Sequence, residues 1–407
     1  MEEDLNAGEQ AEREKHQRDK GKIYLPLTTK EESRVSIWLP EKPKDLIWTY
    51  DNVLLHKTVG AIAGGGGVGK THFVLQLFLN SARGTQFSIF RPPRPLNVLL
   101  LCNEDQQEIL GHRLWDMTKG NFPNNLYVQS LVGRCGPLMS YEGKQPVRTE
   151  YYYRLEETIK SFGDLDIICL DTKGRFCGLD ENSNNDNGLW IVALEELCAT
   201  YGTTILFNAH VPKTASQNNS SITIRGASAT TDYVRWVMGI SRMDAKQAAG
   251  YGINEKKFVV LDMVKTNYGE ENEKQIILQR GEGGVLTPCD PATQHFFGMG
   301  KTLAELLQAD GGLYTKNELR KGIHPVKEHK ERIKNIQTEM EGRFPSGWKN
   351  SKMLTAIDAG LAFGCLRIIN TRRDGSRQDV EVVQPIIDEI LQPDGPGYSE
   401  PESSCSR

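Results

Sequence analysis

The sequence predicts an α/β fold in which a mostly parallel β-sheet carries helices on both faces. Short apolar runs alternate with helical patterns from about residue 48 to residue 279, and this alternation is typical of doubly wound sheets. The run LDIICLD at 165–171 is almost entirely apolar, as expected of a strand that is buried on both faces. A glycine-rich turn at 64–71 joins one predicted strand directly to a predicted helix.

Six strands are predicted from apolar runs that are bounded by turn residues. They cover residues 58–64, 96–102, 165–171, 203–210, 234–240 and 257–265. Helical patterns lie between them, such as THFVLQLFLNSA after the first strand and NGLWIVALEELCATYG before the fourth.

A change of pattern after about residue 295 predicts a second, smaller α+β region. KTLAELLQA, KNELRKGI and SKMLTAIDAGLAFG have helical patterns, and CLRIINTRRDGSRQDVEVV predicts a β-hairpin that turns at Asp374 and Gly375. Helices followed by a basic hairpin indicate either a winged helix or a small helical cap on the main domain. The predicted divisions are a flexible segment at 1–40, the main domain at 41–290, the small domain at 296–390 and a flexible tail at 391–407.

Composition and charge exclude several classes of protein. The chain has 407 residues, of which 38% are hydrophobic and 25% charged, as in ordinary globular proteins. No apolar run approaches the roughly 18 residues of a membrane span, and the charged N-terminal segment lacks the apolar core of a secretory signal. The eight cysteines form no CxxC pair, which argues against a zinc or disulfide framework and predicts a cytoplasmic location. The net charge of −4 gives no global sign of nucleic-acid binding.

The glycine run fits a phosphate-binding loop. The stretch AIAGGGGVGKTHFVLQ contains the motif G-x-x-x-x-G-K-S/T between a predicted strand and a predicted helix, which is the context that the motif requires. Glycines let successive backbone N–H groups converge on phosphate oxygens, and the helix N-terminus adds partial positive charge. ATP and Mg²⁺ are the expected ligands, with Lys70 on the β- and γ-phosphates and the Thr71 hydroxyl on the metal. The predicted nucleotide-binding residues of this loop are Gly64, Gly65, Gly66, Gly67, Val68, Gly69, Lys70 and Thr71.

Three further strands end in candidate catalytic groups. Asp171 lies at the carboxyl end of its strand, where ligands bind in such sheets, and is predicted to hold Mg²⁺ with Thr71. Glu104 follows another apolar strand and is predicted to be a general base; the alternative is that Glu104 and Asp105 cap the next helix. His210 could sense the γ-phosphate, or it could be a hydrogen-bonded core histidine.

Two long polar loops follow these strands. One is VPKTASQNNSSITIRG, after His210, and the other is TKGRFCGLDENSNNDNG, after Asp171. Loops of this length are usually functional or disordered. Their basic and small polar side chains suit contact with a phosphate backbone, although a solvated surface would have the same composition.

Taken in order, these motifs resemble those of the RecA-like hexameric ATPases, and within them the RepA-type replicative helicases of plasmids, phages and mobile elements. The resemblance covers about residues 58–270. It rests on AIAGGGGVGKTHFVLQL, LLLCNEDQQEILGHRL, DIICLDTKGRF, ILFNAHVPK, RGASATTDYVRW and VKTNYGE. It implies a RecA-like fold, ATP hydrolysis with Mg²⁺, and a homo-oligomeric ring, expected to be a hexamer, that acts on single-stranded DNA.

The resemblance also implies roles for individual residues. Glu104 matches the catalytic glutamate, Asp171 the Walker-B aspartate and His210 the strand-end histidine. Arg113 matches an arginine in the helix after Glu104 and is expected to contact the nucleotide.

Two more residues match groups that act across a subunit boundary. Arg225 matches the arginine finger delivered into the neighbouring subunit's ATP site, and Lys265 matches the finger lysine near that boundary. Such a finger is typically worth about 10³–10⁵ in rate. The sequence departs from the family at two positions, because Asn267 stands where an arginine is frequent and Ala209 precedes His210 where a second histidine is frequent.

These observations favour an ATP-driven motor on single-stranded DNA, a replicative helicase that acts as a ring. A second interpretation is an ATP-dependent DNA-binding regulator or adaptor without unwinding activity. A third is a RecA-like signalling ATPase that binds no nucleic acid.

Overall fold

The computed structural model of the chain describes residues 26–39, 41–211, 232–251, 253–269, 275–344, 350–372 and 379–386. The chain divides into two compact units, Met1–Ile47 and Trp48–Arg407. The first unit contains one helical turn, α1 (Val35–Trp38), within the segment predicted to be flexible. The rest of that prediction, for residues 1–25 and 40, and the predicted flexible tail lie outside the described residues.

The second unit contains the predicted α/β fold. Its described strands are β1 Trp48–Tyr50, β2 Leu54–Leu55, β3 Val59–Gly64, β4 Val98–Cys102, β5 Leu126–Ser130, β6 Met139–Glu142, β7 Gln145–Arg148, β8 Ile167–Asp171, β9 Thr204–His210, β10 Trp236–Arg242, β11 Phe258–Thr266, β12 Ile276–Arg280, β13 Leu286–Cys289, β14 Leu366–Arg372 and β15 Asp379–Pro385. Its described α-helices are α2 Lys70–Arg83, α3 Gln107–Thr118, α4 Glu150–Phe162, α5 Lys173–Phe176, α6 Asn184–Tyr201, α7 Ala245–Tyr251, α8 Pro291–Asp310, α9 Lys316–Lys321, α10 Lys327–Arg343 and α11 Asn350–Ala362.

Nine of these strands form one central sheet in the order β13-β12-β11-β10-β3-β9-β8-β4-β5. The strands from β10 to β5 are parallel to one another, and β11, β12 and β13 extend the sheet with antiparallel pairing. The fold class predicted from the sequence is confirmed, and the six predicted strands correspond to β3, β4, β8, β9, β10 and β11. The sequence analysis did not predict β5, β12 and β13.

Side chains of the inner parallel strands alternate between two apolar cores. In β8, Ile168 and Leu170 pack into the core on the α6 side, together with Trp190. Ile167 and Cys169 point to the opposite face and pack into the core beneath α2 and α3. All four β8 side chains are fully buried, so the strand must be apolar at successive positions, as the run LDIICLD indicated.

Several helices begin at side chains that accept hydrogen bonds from first-turn N–H groups. Ser183 caps α6 and Asp290 caps α8. Thr315 and Glu318 form a reciprocal capping box at α9. These caps fix the points at which the chain leaves a loop and enters a helix.

The C-terminal part of the unit has an apolar core of its own, formed by residues of α8 to α11 and the β14–β15 hairpin. The hairpin strands pair from Leu366 opposite Pro385 to Arg372 opposite Asp379, which confirms the predicted hairpin, although its turn lies outside the described residues. Tyr314 forms an antiparallel β-bridge with Val383 on β15. No buried residue of this core belongs to the nine-stranded sheet.

Helix α10 was not predicted from the sequence. Its sequence KEHKERIKNIQTEMEGR is strongly polar, and its buried residues are Ile333, Ile336 and Met340 alone. Three apolar residues at this spacing give a narrow stripe, which explains why the pattern was missed. Among the described residues, no helix combines the length and apolarity needed to cross a membrane, and the seven described cysteines are all free thiols.

Two glycines of α8 provide a test of the packing in the C-terminal core. A Cβ at Gly300 would lie 2.6 Å from Cα of Gly360 on α11, whereas a Cβ at Gly298 would meet no atom within 4 Å. Gly300→Ala is therefore expected to lower the free energy of unfolding by about 1–3 kcal/mol. Gly298→Ala should raise it by about 0.5–1 kcal/mol, because alanine favours the helix. Urea unfolding of the two variants measures both effects, and a change of the same sign in both would contradict this packing.

Candidate nucleotide-binding site

The predicted phosphate loop connects β3 to α2, as the motif requires. Gly64 ends β3 and Lys70 begins α2. Gly67 and Gly69 have φ angles of 69° and 102°, in the left-handed region that favours glycine. Gly64 is required for a different reason, because a Cβ there would lie 2.4 Å from the carbonyl oxygen of Ile240 on β10. The glycines thus give the loop its backbone path and its close contact with β10.

Backbone N–H groups of this loop lack acceptors. Those of Gly66, Gly67 and Gly69 donate no hydrogen bond of normal geometry to any residue that the structure describes. Gly66 and Gly67 are exposed and Gly69 is half-buried, so these N–H groups are open to a ligand. A group of unsatisfied N–H donors at a helix N-terminus is a binding site for an anion such as phosphate.

The side chain of Lys70 lies inside the loop and is 6% exposed. Its ammonium donates to the carbonyl oxygens of Gly64 at 2.9 Å and Gly65 at 3.0 Å, and to Nδ1 of His210 at 3.2 Å. Burial lowers the pKa of Lys70, while the charges of Asp171 and Glu104 act in the opposite direction. Because all three acceptors are neutral, the ammonium gains a stronger partner when a phosphate enters the loop.

Asp171 lies at the end of β8, 1% exposed, opposite Cys102 at the end of β4. Burial raises the pKa of Asp171, and the side chains of Thr71 and Asn208 act in the opposite direction. However, neither Nδ2 nor Oδ1 of Asn208 forms a hydrogen bond of normal geometry with a described residue. The carboxylate is therefore poorly compensated, and a cation between Asp171 and Thr71 would supply the missing charge.

These residues fit Mg²⁺ in the way that nucleotide-binding sites hold it. Within the described part of the chain, no three His, Cys, Asp or Glu side chains are grouped so that they could hold a metal by themselves. Mg²⁺ bound with a nucleotide is held by one or two protein side chains, water and the substrate phosphates. Thr71 and Asp171 would be those side chains.

His210 connects the loop lysine to Glu104. An ammonium can only donate, so Nδ1 of His210 is the acceptor from Lys70 and the ring proton lies on Nε2. Nε2 then donates to Oε1 of Glu104 at 3.3 Å. The side chains of His210 and Glu104 are 44% and 38% exposed, so the alternative of a core histidine is wrong. The capping alternative is also wrong, because the N-cap of α3 is Gln106 and no side chain caps it.

Comparison with known protein families agrees with this geometry. Residues 27–216 match the family model described as an AAA domain. The matched region contains the phosphate loop, Glu104, Asp171 and His210. The chain contains a P-loop ATPase domain.

Two other residues predicted to serve an ATPase site have partners within this chain. Nη1 of Arg113 on α3 donates to Oδ2 of Asp105, the neighbour of Glu104, at 2.6 Å. Burial and the charge of Arg113 both lower the pKa of His72 in the first turn of α2, so Arg113 lies near the phosphate loop and its contact with the nucleotide stays a prediction.

Lys265 on β11 donates to the carbonyl oxygen of Asp232 at 3.0 Å. It pairs with Val237 on β10, which in turn pairs with Ala61 on β3, three residues before Gly64. That offset is roughly 10 Å along the strands, so Lys265 does not reach the phosphate loop of its own chain.

The remaining predictions concern Arg225 and the two polar loops. Arg225, the predicted arginine finger, lies outside the described residues, as does nearly all of the polar loop that contains it. The second polar loop begins instead with the helical turn α5. There Lys173 is 4% exposed and donates to Oδ1 of Asn187, so this basic side chain of the loop is not on the surface. Arg175 and Asp180 of the same loop are exposed.

Two arginines that contact the phosphate loop were not predicted from the sequence. Nη2 of Arg242, the last residue of β10, lies 3.5 Å from the carbonyl oxygen of Gly67. Nη2 of Arg280, the last residue of β12, donates to the carbonyl oxygen of Val68. The sequence signal was weak, because an arginine at a strand end indicates a site only when the position of its strand in the sheet is known.

Asp171→Asn is expected to raise the stability of the folded protein and to lower its ATPase activity. Because burial raises the pKa of Asp171, its ionised form destabilises the folded protein, and this effect increases as the pH rises through the native pKa. The amide variant should therefore be more stable than the original chain at pH 7. The difference should disappear at acid pH, where the carboxyl group is protonated in both states. ATPase activity should fall by about 10²-fold.

Asp166→Asn is the matched control for this prediction. Asp166 lies just before β8, and both of its oxygens accept from Arg94, at 3.0 and 2.6 Å. Removing this charge should cost about 1 kcal/mol of stability and leave ATPase activity unchanged. Denaturant unfolding across pH, with phosphate-release assays, measures both variants. A destabilised Asp171→Asn at pH 7 would contradict the role of burial.

Proposed function

We propose that this chain is a ring-forming motor that couples ATP hydrolysis to movement along single-stranded DNA, as a replicative helicase of the RepA type. The position of Lys265 carries this proposal. It matches a finger lysine, yet it lies two strands from β3, level with Ala61 and three residues short of Gly64 at the phosphate loop of its own chain. This position supports a role at the site of a second copy, and hydrolysis would then depend on assembly.

The side chains at the loop suggest how hydrolysis proceeds. The loop N–H groups and Lys70 bind the β- and γ-phosphates, while Glu104 orients the attacking water and accepts its proton. Thr71 and Asp171 would hold Mg²⁺, which would neutralise charge on the phosphate oxygens. When Lys70 exchanges its neutral acceptors for phosphate oxygens, it releases His210, which is hydrogen-bonded to Glu104. Occupancy of the loop is thereby communicated to the general base.

Binding of single-stranded DNA rests on the sequence. The polar loop after His210 is the candidate contact, since its small polar side chains and Lys213 suit a phosphate backbone. In a hexameric ring such loops line the central channel. Hydrolysis at successive subunit boundaries would move them along the strand.

A DNA-binding regulator without unwinding activity is the second candidate. The separate core of the C-terminal region favours it, together with the exposed Arg367 and Arg372 on β14. A hairpin with basic residues can contact DNA phosphates. In that case ATP would control assembly, and the C-terminal region would select the DNA.

One set of measurements separates these candidates. ATPase activity is measured with and without single-stranded DNA, unwinding is followed on a forked duplex, and particle mass is determined with a non-hydrolysable ATP analogue. A motor predicts stimulation by single-stranded DNA, strand separation and a ring-sized particle. Binding to one duplex sequence without strand separation supports the regulator, and no affinity for any DNA at low salt contradicts both.

Glu104→Gln should lower kcat by about 10²–10⁴-fold, because an amide cannot accept the proton of the attacking water. The affinity for ATP should stay unchanged, since the loop N–H groups and Lys70 are intact. Glu108→Gln is the matched control, because Glu108 is an exposed glutamate in the first turn of α3. This variant should hydrolyse ATP at the original rate. Phosphate release and equilibrium nucleotide binding measure the two effects. Hydrolysis at the original rate by Glu104→Gln would exclude Glu104 as the base.

A further inference from the structure

Four carbonyl groups of the phosphate loop are contacted by cations. Lys70 binds those of Gly64 and Gly65 from inside the loop. Arg242 and Arg280 bind those of Gly67 and Val68 nearer its end. The two arginines come from strands β10 and β12, outside the loop and the helix that follows it.

The path of Arg280 to the loop is fixed by contacts far from it. Gln76 on α2, 8% exposed, binds the backbone of Leu286 on β13 through two hydrogen bonds, of 2.5 and 2.7 Å. Leu286 pairs with Arg280 at the end of β12. These hydrogen bonds therefore hold the end of β12 against α2. The guanidinium of Arg280 then occupies the space that a side chain at position 69 would need, with Nη2 2.5 Å from an ideal Cβ on Gly69.

The charge of this pair of arginines is not compensated within the described residues. Neither Arg242 nor Arg280 forms an ion pair with any carboxylate in that part of the chain. Burial and the neighbouring charge of Arg242 both lower the pKa of Arg280. Two like charges held together beside a loop of free N–H donors favour the binding of a polyanion.

Peptide geometry links these contacts to phosphate binding. In a planar trans peptide, the C=O of one residue and the N–H of the next point in opposite directions. A guanidinium that holds the carbonyl of Val68 on one side therefore directs the N–H of Gly69 to the other side. The contact of Arg242 with the carbonyl of Gly67 does the same for the N–H of Val68.

We propose that Arg280, assisted by Arg242, is a positioning residue of the ATPase site. It orients the loop N–H groups toward the phosphates and adds positive charge behind them. This role rests on the P-loop ATPase assignment and is independent of ring formation and of DNA. Because it acts on the loop that binds the β-phosphate, ADP and ATP should be affected equally, and the chemical step should not.

The test compares Arg280→Gln with Arg280→Lys in the full chain. Equilibrium binding of ADP and of a non-hydrolysable ATP analogue is measured, together with kcat and KM for ATP. Arg280→Gln should raise both dissociation constants and KM by about tenfold, with kcat unchanged. Arg280→Lys keeps the charge and a donor and should recover part of the affinity.

Arg83→Gln is the matched control. Arg83 is also an arginine that donates to a backbone carbonyl, that of Asn121 at 2.9 Å, but it lies at the opposite end of α2. The Arg83→Gln variant should bind ADP and the ATP analogue with the affinities of the original chain.

Three results would overturn the proposal. They are unchanged nucleotide affinity in Arg280→Gln, a fall in kcat without a change in KM, and an equal loss of affinity in Arg83→Gln. The original chain provides the reference for the ATPase assignment. If it binds neither nucleotide, that assignment falls together with the role of Arg280. If it binds both and Arg280→Gln binds them equally well, only the positioning role fails.

Discussion

The site depends on one buried ammonium whose acceptors are all neutral. Lys70 holds two carbonyl groups of its own loop and one nitrogen of His210, and through that histidine it is connected to Glu104. Removing an ammonium from water is costly, and neutral acceptors compensate this cost only partly. The loop is therefore prepared for a ligand that brings negative charge, and the same ligand alters the hydrogen bonds of the catalytic residues.

The central sheet brings these groups together through strand direction. The phosphate loop, Glu104, Asp171 and His210 each follow the carboxyl end of a different parallel strand, namely β3, β4, β8 and β9. Parallel strands in register place those ends along one edge. Strands β10 and β12, on the other side of β3, also end beside the loop and bring Arg242 and Arg280 to it. The catalytic groups and the groups that shape the loop thus come from different parts of the sheet.

The same distinction explains how much could be predicted from the sequence. The loop motif, Glu104, Asp171 and His210 were found because each is adjacent to its own apolar strand, so local pattern was sufficient. Arg280 was missed because its position depends on the register of antiparallel strands, which is a long-range property. The burial of Lys173 was missed for a similar reason, since a lysine in a polar segment gives no local sign of the Asn187 side chain that it contacts.

The fit between Gly69 and Arg280 has a consequence for how the two positions can vary. The guanidinium occupies the volume that a larger residue 69 would fill, and φ at Gly69 disfavours any side chain. A shortened residue 280 would leave space beside the loop without making residue 69 free to change. Glycine at 69 thus answers two separate requirements, one of backbone conformation and one of volume, and removing the second leaves the first in place.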